Sequence, residues 1–469
     1  MTRFGGMLLV LALLVSACSS PSGSDAEPAG ADPAAAGDEV AAGSDTTITA
    51  DTDDTDDATS TSGDSGSGAP LPDECPAPPD GVPWTDSETA GIETLQEQTA
   101  DTPGVQAVVY PRPDYEGRPW SQWGQGILLA DGRFLSAIGD HHGPDGNSFM
   151  YEFDPETGLL TQIGDALSLV DHIPGEYGFG KIHAPMVAGP CGEIYTSTYW
   201  GTRRRLEYTE NYTGDVLIRI DPEQRSIASM GVLVPEHGAA SMASWPEGGL
   251  IYAEPADPFG QKTGAFVAVD AFTGETVFET FDDAHDGYRT IAVDEQGRAH
   301  IAWGADGIAR FDPATNEIEV LDVAIPGGSL RATTRPDADG TIYGASREND
   351  DFFALHADGT VRPLGTARGY VSTMVLAPEG GRFYYIPHAH GRAWEEGTPL
   401  IAVGTETGAE EVVIELNPLI EDQLGLRTGG TYSISVDPSS KTFYIGLNAG
   451  DPASRDTFGE VVLVVVTLP

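Results

Sequence analysis

Seven segments of the sequence share one pattern, a tight turn followed at once by a short β-prone run. The glycines of the first six lie roughly 40 to 60 residues apart, which is the period of a four-stranded blade. Each segment also follows another apolar run, so each unit predicts a hairpin of two strands joined by a turn. Seven such units predict an all-β fold, a seven-bladed β-propeller. The segments are 132–136, 192–196, 249–253, 297–301, 340–344, 381–385 and 441–445.

A second turn follows inside most units, where a hydrophobic strand ends in aspartate, often with proline next. Asp154, Asp221, Asp270 and Asp312 hold this position. The carboxylate accepts hydrogen bonds from the next backbone amides, and proline fixes φ in the turn. This turn resembles that of NHL, YVTN and quinoprotein-like propellers over residues 105–469. The resemblance implies an architecture and no particular activity.

The last unit contains only three strand-like runs, at 431–436, 441–447 and 460–467. Residues 105–110 form another such run ahead of the first unit, where no partner is available. We expect this N-terminal strand to complete the seventh blade and close the ring, which removes two open sheet edges. The alternative is that it packs on the side of the domain. Short helices are expected within 84–100 and at 418–425.

The N-terminus resembles that of a bacterial lipoprotein. An apolar run at 7–15 is too short to span a bilayer and has the length of a signal-peptide core. It ends in Val15-Ser16-Ala17-Cys18, which resembles a lipobox. The resemblance implies a signal peptide over 1–18, acylation of Cys18, export, and a lipid anchor on the outer face of the cell membrane. The alternative is an ordinary signal peptide with an incidental cysteine.

Residues 19–80 are rich in Ala, Gly, Ser, Thr, Pro and Asp and predict a disordered acidic linker. An entry segment over 81–104 then leads into the propeller of residues 105–469. Beyond Cys18 the chain has two further cysteines, Cys75 and Cys191, and in an exported protein they suggest one disulfide. Two free thiols are the alternative.

The chain carries 73 acidic and 24 basic residues, a formal net charge of -49. Binding of nucleic acid through a general basic face is therefore not expected. High net charge keeps proteins soluble and separate, and we expect a monomer.

Propeller topology divides the remaining residues between two faces. The beginning of each inner strand and the loop after each second strand meet at one end of the channel, which we call the top. The hairpin turns and aspartate turns lie at the bottom. Histidines, arginines and aromatic residues gather at the top, which in so acidic a chain predicts a site for an anionic saccharide or another small ligand. The expected ligand-binding residues are His141, Trp200, Tyr288, Arg331, Tyr370, Trp394 and Arg427.

Secreted propeller polysaccharide lyases, of the ulvan and oligogalacturonide type, also combine this scaffold with top-face His, Tyr and Arg. The loose resemblance implies cleavage of an acidic glycan by β-elimination. That chemistry needs a cation for the uronate, a base for the C5 proton and an acid for the leaving oxygen. The candidates are Arg289 or Arg331 as the cation, His183 or His142 as the base, and Tyr199 or Tyr288 as the acid.

Two alternatives stay open beside the lyase hypothesis. The protein could be a binding module or assembly platform without catalysis. It could also be a metal-dependent lyase or lactonase, similar in scaffold to streptogramin lyases or gluconolactonases. The last version requires His142, His183, His388 and His390 to converge on one divalent metal. Two imidazoles of an extended His-x-His segment point to the same side, which makes His388 and His390 candidate ligands.

Overall fold

The computed structural model describes residue 75 and residues 81–113, 120–199, 211–257, 262–285, 290–438, 441–455 and 457–469. The expected signal peptide, Cys18 and nearly all of the acidic linker lie outside these residues. Within the described ranges, no helix has the length and apolar character needed to cross a membrane.

The entry segment is extended and contains β1 (Val82–Pro83), β2 (Thr89–Gly91) and β3 (Glu93–Gln96), followed by β4 (Gly104–Val109). The expectation of a helix within 84–100 is therefore wrong. Each of the first three strands pairs with the outermost strand of a different blade, in blades 2, 1 and 7 in turn. An open sheet edge offers a complete row of backbone donors and acceptors, and this pairing outweighs the local helix propensity of the segment.

The seven blades are antiparallel sheets whose strands follow one another from the channel outward. Blade 1 contains β5 (Ile127–Leu128), β6 (Phe134–Gly139), β7 (Ser148–Asp154) and β8 (Leu159–Asp165). Blade 2 contains β9 (Val187–Ala188), β10 (Ile194–Ser197), β11 (Val216–Asp221) and β12 (Ser226–Val232). Blade 3 contains β13 (Gly238–Trp245), β14 (Leu250–Ala256), β15 (Ala265–Asp270) and β16 (Thr276–Phe281). Blade 4 contains β17 (Ala292–Val293), β18 (Ala299–Trp303), β19 (Gly307–Asp312) and β20 (Glu317–Val320).

The remaining blades follow the same plan. Blade 5 contains β21 (Leu330–Thr333), β22 (Ile342–Ser346), β23 (Asp351–Leu355) and β24 (Val361–Thr366). Blade 6 contains β25 (Met374–Leu376), β26 (Arg382–Tyr385), β27 (Pro399–Gly404) and β28 (Glu410–Glu415). Blade 7 contains β29 (Arg427–Asp437), β30 (Thr442–Gly450) and β31 (Glu460–Thr467), and β4 is its fourth strand. The expected seven-bladed β-propeller, with its ring closed by an N-terminal strand, is confirmed.

Two short α-helices occur near the end of the chain, one inside blade 6 and one between blades 6 and 7. Helix α1 (Ala393–Glu396) lies between β26 and β27, and α2 (Asn417–Leu424) joins blade 6 to blade 7. Pro418 stands in the first turn of α2, and Gly425 closes it with φ of 67°. The expectation of a helix at 418–425 is confirmed. Short 3₁₀ turns occur at Leu167–Leu169 and Pro246–Gly248.

The turns at the bottom form as the sequence pattern predicts. Asp154 Oδ1 accepts a hydrogen bond from the Glu156 amide at 2.9 Å, and Asp312 Oδ1 accepts one from Ala314 at 2.8 Å. The hydrophobic core is divided among the contacts between neighbouring blades, with one cluster of buried side chains for each adjacent pair. Blades 7 and 1 share such a cluster too, so packing as well as strand pairing closes the ring.

One side chain near the start of the entry segment ties it to two blades. The buried Trp84 ring lies 4.3 Å from the guanidinium carbon of Arg225, which belongs to blade 2. Arg225 also contacts Asp86 at 2.6 Å and Glu152 of blade 1 at 3.4 Å. The entry segment is therefore held by an aromatic and ionic contact in addition to its backbone pairing.

We expect Trp84→Ala to lower the free energy of unfolding by about 3 kcal/mol, because it removes a buried indole and the ring on which Arg225 rests. Val82→Ala is the matched control, since Val82 is 40% exposed in the same segment and its loss should cost less than about 0.5 kcal/mol. Denaturant-induced unfolding measures both. Equal destabilisation by the two substitutions would contradict this role for Trp84.

Candidate functional site

A group of side chains from blades 1, 2, 5, 6 and 7 meets at the top end of the channel. They come from the residues just before an inner strand, from the inner strand itself, or from the loop after a second strand. Isolated bridges, Ser121 to Gly139 and Ile182 to Thr198, continue the inner hairpins of blades 1 and 2 toward this end. We call the group the upper cluster; it consists of Trp123, His141, Lys181, His183, Tyr199, Arg331, Tyr370, His390 and Tyr432.

The buried Trp123 ring is the centre of the upper cluster. Its centroid lies 4.7 Å from that of Tyr432 and 5.8 Å from that of His390. His141 stacks on it at 5.4 Å, and Phe458 stacks at 5.5 Å. One indole thus contacts side chains of blades 1, 6 and 7.

Lys181 places its charge on aromatic faces. Its Nζ lies 4.2 Å from the centroid of Trp123 and 5.4 Å from that of Tyr199. The Tyr199 amide also donates a hydrogen bond to the Lys181 carbonyl at 2.9 Å, which keeps the two residues side by side. Lys181 is only 3% exposed, and a desolvated cation on an aromatic face is stabilised by about 2 kcal/mol.

The His183 imidazole has a defined tautomer. Its Nδ1 lies 3.2 Å from the carbonyl oxygen of Ala240 in blade 3. A carbonyl can only accept, so Nδ1 carries the proton and the neutral ring has its lone pair on Nε2. The ring lies 5.2 Å from that of Tyr199, between centroids. A histidine in this form can accept a proton at Nε2, as a general base does.

Arg331 forms the second cationic element. It is fully buried, and its guanidinium carbon lies 4.0 Å from the centroid of Tyr370. One of its nitrogens donates to His390 Nε2 at 3.4 Å, so that imidazole accepts at Nε2 and is neutral. His390 packs edge-on against Tyr370 at 4.6 Å. His141, Tyr370 and His390 are half-buried, so these rings form the accessible part of the upper cluster.

One carboxylate, Asp350, lies near Arg331 of the upper cluster, and a second, Glu254, is buried in blade 3. Burial raises the pKa of Asp350, and the nearby guanidinium groups of Arg331 and Arg392 oppose this rise. Glu254 of β14 is fully buried and pairs in register with Ser241 of β13 at the start of blade 3. This end of the propeller therefore carries charges of both signs. The positive charges are those of Lys181 and Arg331, which lie on the rings of Trp123 and Tyr370.

A buried carboxylate supports the strand end that carries Tyr199. Asp215 accepts hydrogen bonds from Tyr212 Oη and Thr198 Oγ1, both at 2.7 Å, and from Tyr177 Oη at 3.3 Å. Burial raises the Asp215 pKa to about 6, although the three hydroxyl groups lower it in part. Asp215 is separated from the upper cluster by these hydroxyl groups and acts as a positioning residue through Thr198. No sequence motif marks it, because it precedes an ordinary strand.

The other predicted residues lie elsewhere or outside the described part of the chain. His142 is exposed, and its amide donates to Asp140 Oδ1 at 2.8 Å, so His141 and not His142 belongs to the upper cluster. Arg427 makes two hydrogen bonds to Glu421 of α2, at 2.9 and 3.0 Å, and lies 5.7 Å from the buried Trp394 ring. These two form a separate corner beside α1 and α2. Trp200, Tyr288 and Arg289 lie outside the described residues.

The two histidines proposed as metal ligands diverge. His388 and His390 have φ of 71° and 59°, so the segment is a turn and the expected extended geometry is wrong. His388 Nδ1 lies 2.7 Å from Glu396, whereas His390 contacts Arg331. Burial lowers the pKa of His388. Among the residues that the structure describes, no three His, Cys, Asp or Glu side chains form a group able to hold a metal ion.

No sequence pattern singled out a further histidine near the top, His285. His285 lies in the loop after β16, and its ring packs 5.1 Å from Trp303 and 6.4 Å from Phe266. Burial lowers its pKa to about 4. The residue is neutral at physiological pH and covers the hydrophobic cluster between blades 3 and 4 rather than joining the upper cluster.

The structure contains a disulfide between Cys75 and Cys191, with Cα atoms 6.0 Å apart. Cys191 lies in the inner-hairpin turn of blade 2, between β9 and β10. This turn is at the bottom, so the first described residue of the chain is fixed at the face opposite the upper cluster.

Comparisons with known proteins support the fold. The chain matches no family model and no curated protein by sequence. Its structure is similar to a chain of a mitotic checkpoint complex, with a TM-score of 0.50, 7% identity, and coverage of 85% of this chain and 98% of that one. A WD40 β-propeller domain of Doa1 matches with a TM-score of 0.44, 12% identity, and coverage of 76% and 95%.

Virginiamycin B lyase from Staphylococcus aureus, in an inactive variant with quinupristin, matches with a TM-score of 0.49 and 10% identity. The match covers 78% of this chain and all of that one. In total 1139 solved chains match, so the scaffold is too common to select one function.

The Asp215 site predicts a specific pH dependence. Its pKa is about 6 in the folded protein against 3.8 ordinarily, so between these values the folded state holds more protons than the unfolded state. Relative to Asp215→Asn, the wild type should gain on the order of 2–3 kcal/mol of stability as pH falls from 7 to 4. Thermal unfolding of both proteins across this range measures the difference. A constant difference would show that Asp215 does not titrate in this window.

Proposed function

We propose that this protein is a cell-envelope propeller whose upper cluster binds an anionic saccharide. The observation that carries the proposal is the placement of Lys181 and Arg331 on the faces of Trp123, Tyr199 and Tyr370 at one end of the channel. Cations bind carboxylate and sulfate groups, and aromatic rings stack on the apolar faces of sugars. A ligand would approach the site through the half-buried rings of His141, Tyr370 and His390.

The charge of the rest of the protein adds selectivity to this proposal. With a net charge of -49, most of the surface repels anions. An acidic saccharide should therefore bind only where cations are concentrated. Asp350, which lies near Arg331, would further restrict how an anion is oriented there, because like charges repel each other.

The position of the disulfide supports a location in the envelope with the upper cluster facing outward. A lipid on Cys18 would be connected to the bottom face through the disulfide of Cys75, about 56 residues further along the chain. The bottom face would then be oriented toward the membrane. The upper cluster would point away from it, toward ligands outside.

A second candidate function, cleavage of the bound saccharide by β-elimination, is favoured by the tautomer of His183. Its Nε2 could take the C5 proton of a uronate while Arg331 neutralises the carboxylate. The electron pair of the C5–H bond would form the C4–C5 double bond as the C4–O bond breaks. Tyr199, whose ring lies 5.2 Å from His183, could protonate the leaving oxygen.

Binding is tested with sulfated and uronate-containing oligosaccharides in isothermal titration calorimetry. We expect Lys181→Met and Arg331→Met each to weaken binding at least about tenfold, because each removes a cation from the site. Arg382→Met is the control, since Arg382 is exposed on the second strand of blade 6 near the bottom. Thermal unfolding reports whether each variant is folded. Equal affinity for neutral oligosaccharides would overturn the proposal.

Elimination is tested by the ultraviolet absorbance of unsaturated uronates across a panel of acidic glycans. His183→Gln should abolish the rise in absorbance while affinity changes less than about threefold, because the base acts on the reaction and little on binding. Binding of a glycan without any rise in absorbance would leave the binding function and refute catalysis. His142→Gln is the matched control and should retain activity.

A further inference from the structure

A groove crosses the bottom of blades 2, 1 and 7, opposite the upper cluster. It consists of a cavity of about 400 Å³ between blades 2 and 1 and a cavity of about 600 Å³ between blades 1 and 7. Leu128, Leu129, Ala130 and Asp131, in the inner hairpin of blade 1, line both cavities, so the two are continuous. We call them together the bottom groove. Nothing proposed for the upper cluster uses it.

The floor of the bottom groove is apolar. Ile127, Leu128 and Leu129 are half-buried, and Ala130 is exposed. Ile127 and Leu129 pack on the buried cluster between blades 1 and 2, and Leu128 packs on the cluster between blades 7 and 1. Each of these three side chains therefore contacts the core on one side and lines the groove on the other. An apolar segment that lies on them would remove this surface from water.

The edge of the bottom groove repels anionic ligands. Asp131, Asp221 and Glu223 are part of its lining. Arg133 also lines it, but its guanidinium group contacts Asp131 at 2.7 Å and donates a hydrogen bond to Glu152, so its charge is balanced. The edge is therefore negative. It disfavours an acidic saccharide and leaves the apolar floor to an uncharged segment.

The disulfide brings one particular segment of the chain to the bottom groove. Cys191, which lines the groove in blade 2, is bonded to Cys75. The residues just before Cys75 therefore start at the groove wall. For a segment held by so short a connection, binding is intramolecular and has an effective concentration on the order of millimolar. A small apolar contact is then sufficient to hold the segment in place.

The same segment contains the one large apolar side chain of this part of the linker. Between Ile48 and Val82, Leu71 is the only Leu, Ile, Val, Met, Phe, Tyr or Trp, and it stands in the run Ala69-Pro70-Leu71-Pro72. Proline on both sides favours a polyproline II conformation, which rises about 3.1 Å per residue and has little conformational entropy to lose on binding. The four steps from Cys75 to Leu71 then span about 12 Å. Neighbouring sheets pack about 10 Å apart, so Leu71 can reach the turn of blade 1.

We propose that the bottom groove binds the chain's own linker at residues 69–72, with Leu71 on Leu128 and Leu129. Asp73 and Glu74 would face solvent, because the edge of the groove is acidic. The linker would then leave the propeller beside blade 7 and not directly at Cys75. The chain after Cys75 pairs with the outer edges of the same three blades, so it would hold them together on two sides. This contact does not depend on the ligand of the upper cluster.

Photo-crosslinking of the full protein tests the contact directly. A diazirine amino acid replaces Leu71 and, in the control, Ile48 of the same linker, and mass spectrometry of the digested protein locates each cross-link. We expect position 71 to cross-link within one molecule to residues 127–131 or 436–438. Position 48 should give less than about a tenth of that yield, because its effective concentration at the groove is lower. Cross-links of position 71 to a second copy of the chain, to other surfaces or to none would each overturn the proposal.

Hydrogen–deuterium exchange measures the same contact without a label. Leu71→Asp should raise deuterium uptake in residues 128–132 at least about threefold, because a charged side chain is not buried in an apolar, acidic groove. Leu71→Met keeps an apolar side chain and should retain the protection, and Ile48→Asp should leave it unchanged. Uptake in β18 and β19 of blade 4 reports whether each variant is folded. Equal uptake at 128–132 in Leu71→Asp and the wild type would refute the proposal.

Discussion

The antiparallel pairing of β4 with β31 closes the ring of seven blades. It joins Val109 to Val462 in register and so connects the two ends of the described chain within one blade. Without it, blades 7 and 1 would each present an open side, and the buried cluster between them would be exposed. The segment that follows β4 in the chain is also fixed to blade 7. The Gln122 backbone makes two hydrogen bonds with the Asn448 side chain of blade 7, at 2.7 and 2.9 Å, and these fix the chain next to Trp123.

The position of Trp123 explains why the upper cluster exists. The indole reaches side chains of blades 1, 2, 6 and 7, so residues far apart in sequence become neighbours through one ring. Lys181 is held against it, and Arg331 joins through His390. Ring closure brings blade 1 beside blade 7, and the two cations then lie on aromatic faces around Trp123 and Tyr370. The function proposed for the top of the channel depends on each of these steps.

The sequence predicted those parts of the fold that depend on local signals. Glycine turns, aspartate turns such as that of Asp154, and alternating apolar runs depend on neighbouring residues, so their hairpins could be predicted. The fourth strand of blade 7 could be predicted because the last unit contains only three strand-like runs and a blade needs four. The entry segment could not be predicted in this way, because its helix-favouring residues around Glu93 are extended by open edges on blades 2, 1 and 7. Pairing with distant strands produces no recognisable sequence pattern in a short polar segment.

The same limit applies to the site. Topology placed His183, Tyr199, Arg331 and Tyr370 on one face, and the structure brings them into one cluster. Topology alone could not distinguish His141 from His142, because the direction of each side chain depends on a positive φ of 51° at His141. It also could not reveal Asp215, whose importance lies in contacts with hydroxyl groups from other segments. Contacts between distant side chains require the folded geometry.

The proposed function requires that an anionic saccharide binds at the upper cluster. Hydrogen–deuterium exchange of the full protein, with and without a saturating acidic oligosaccharide, tests it most directly because it locates the ligand without assuming a reaction. We expect slower exchange in the segments around Trp123, His141, Tyr199 and His390, and no change in the bottom turns. Protection confined to the bottom turns or to the outer strands, with unchanged exchange at the top of the channel, would contradict it.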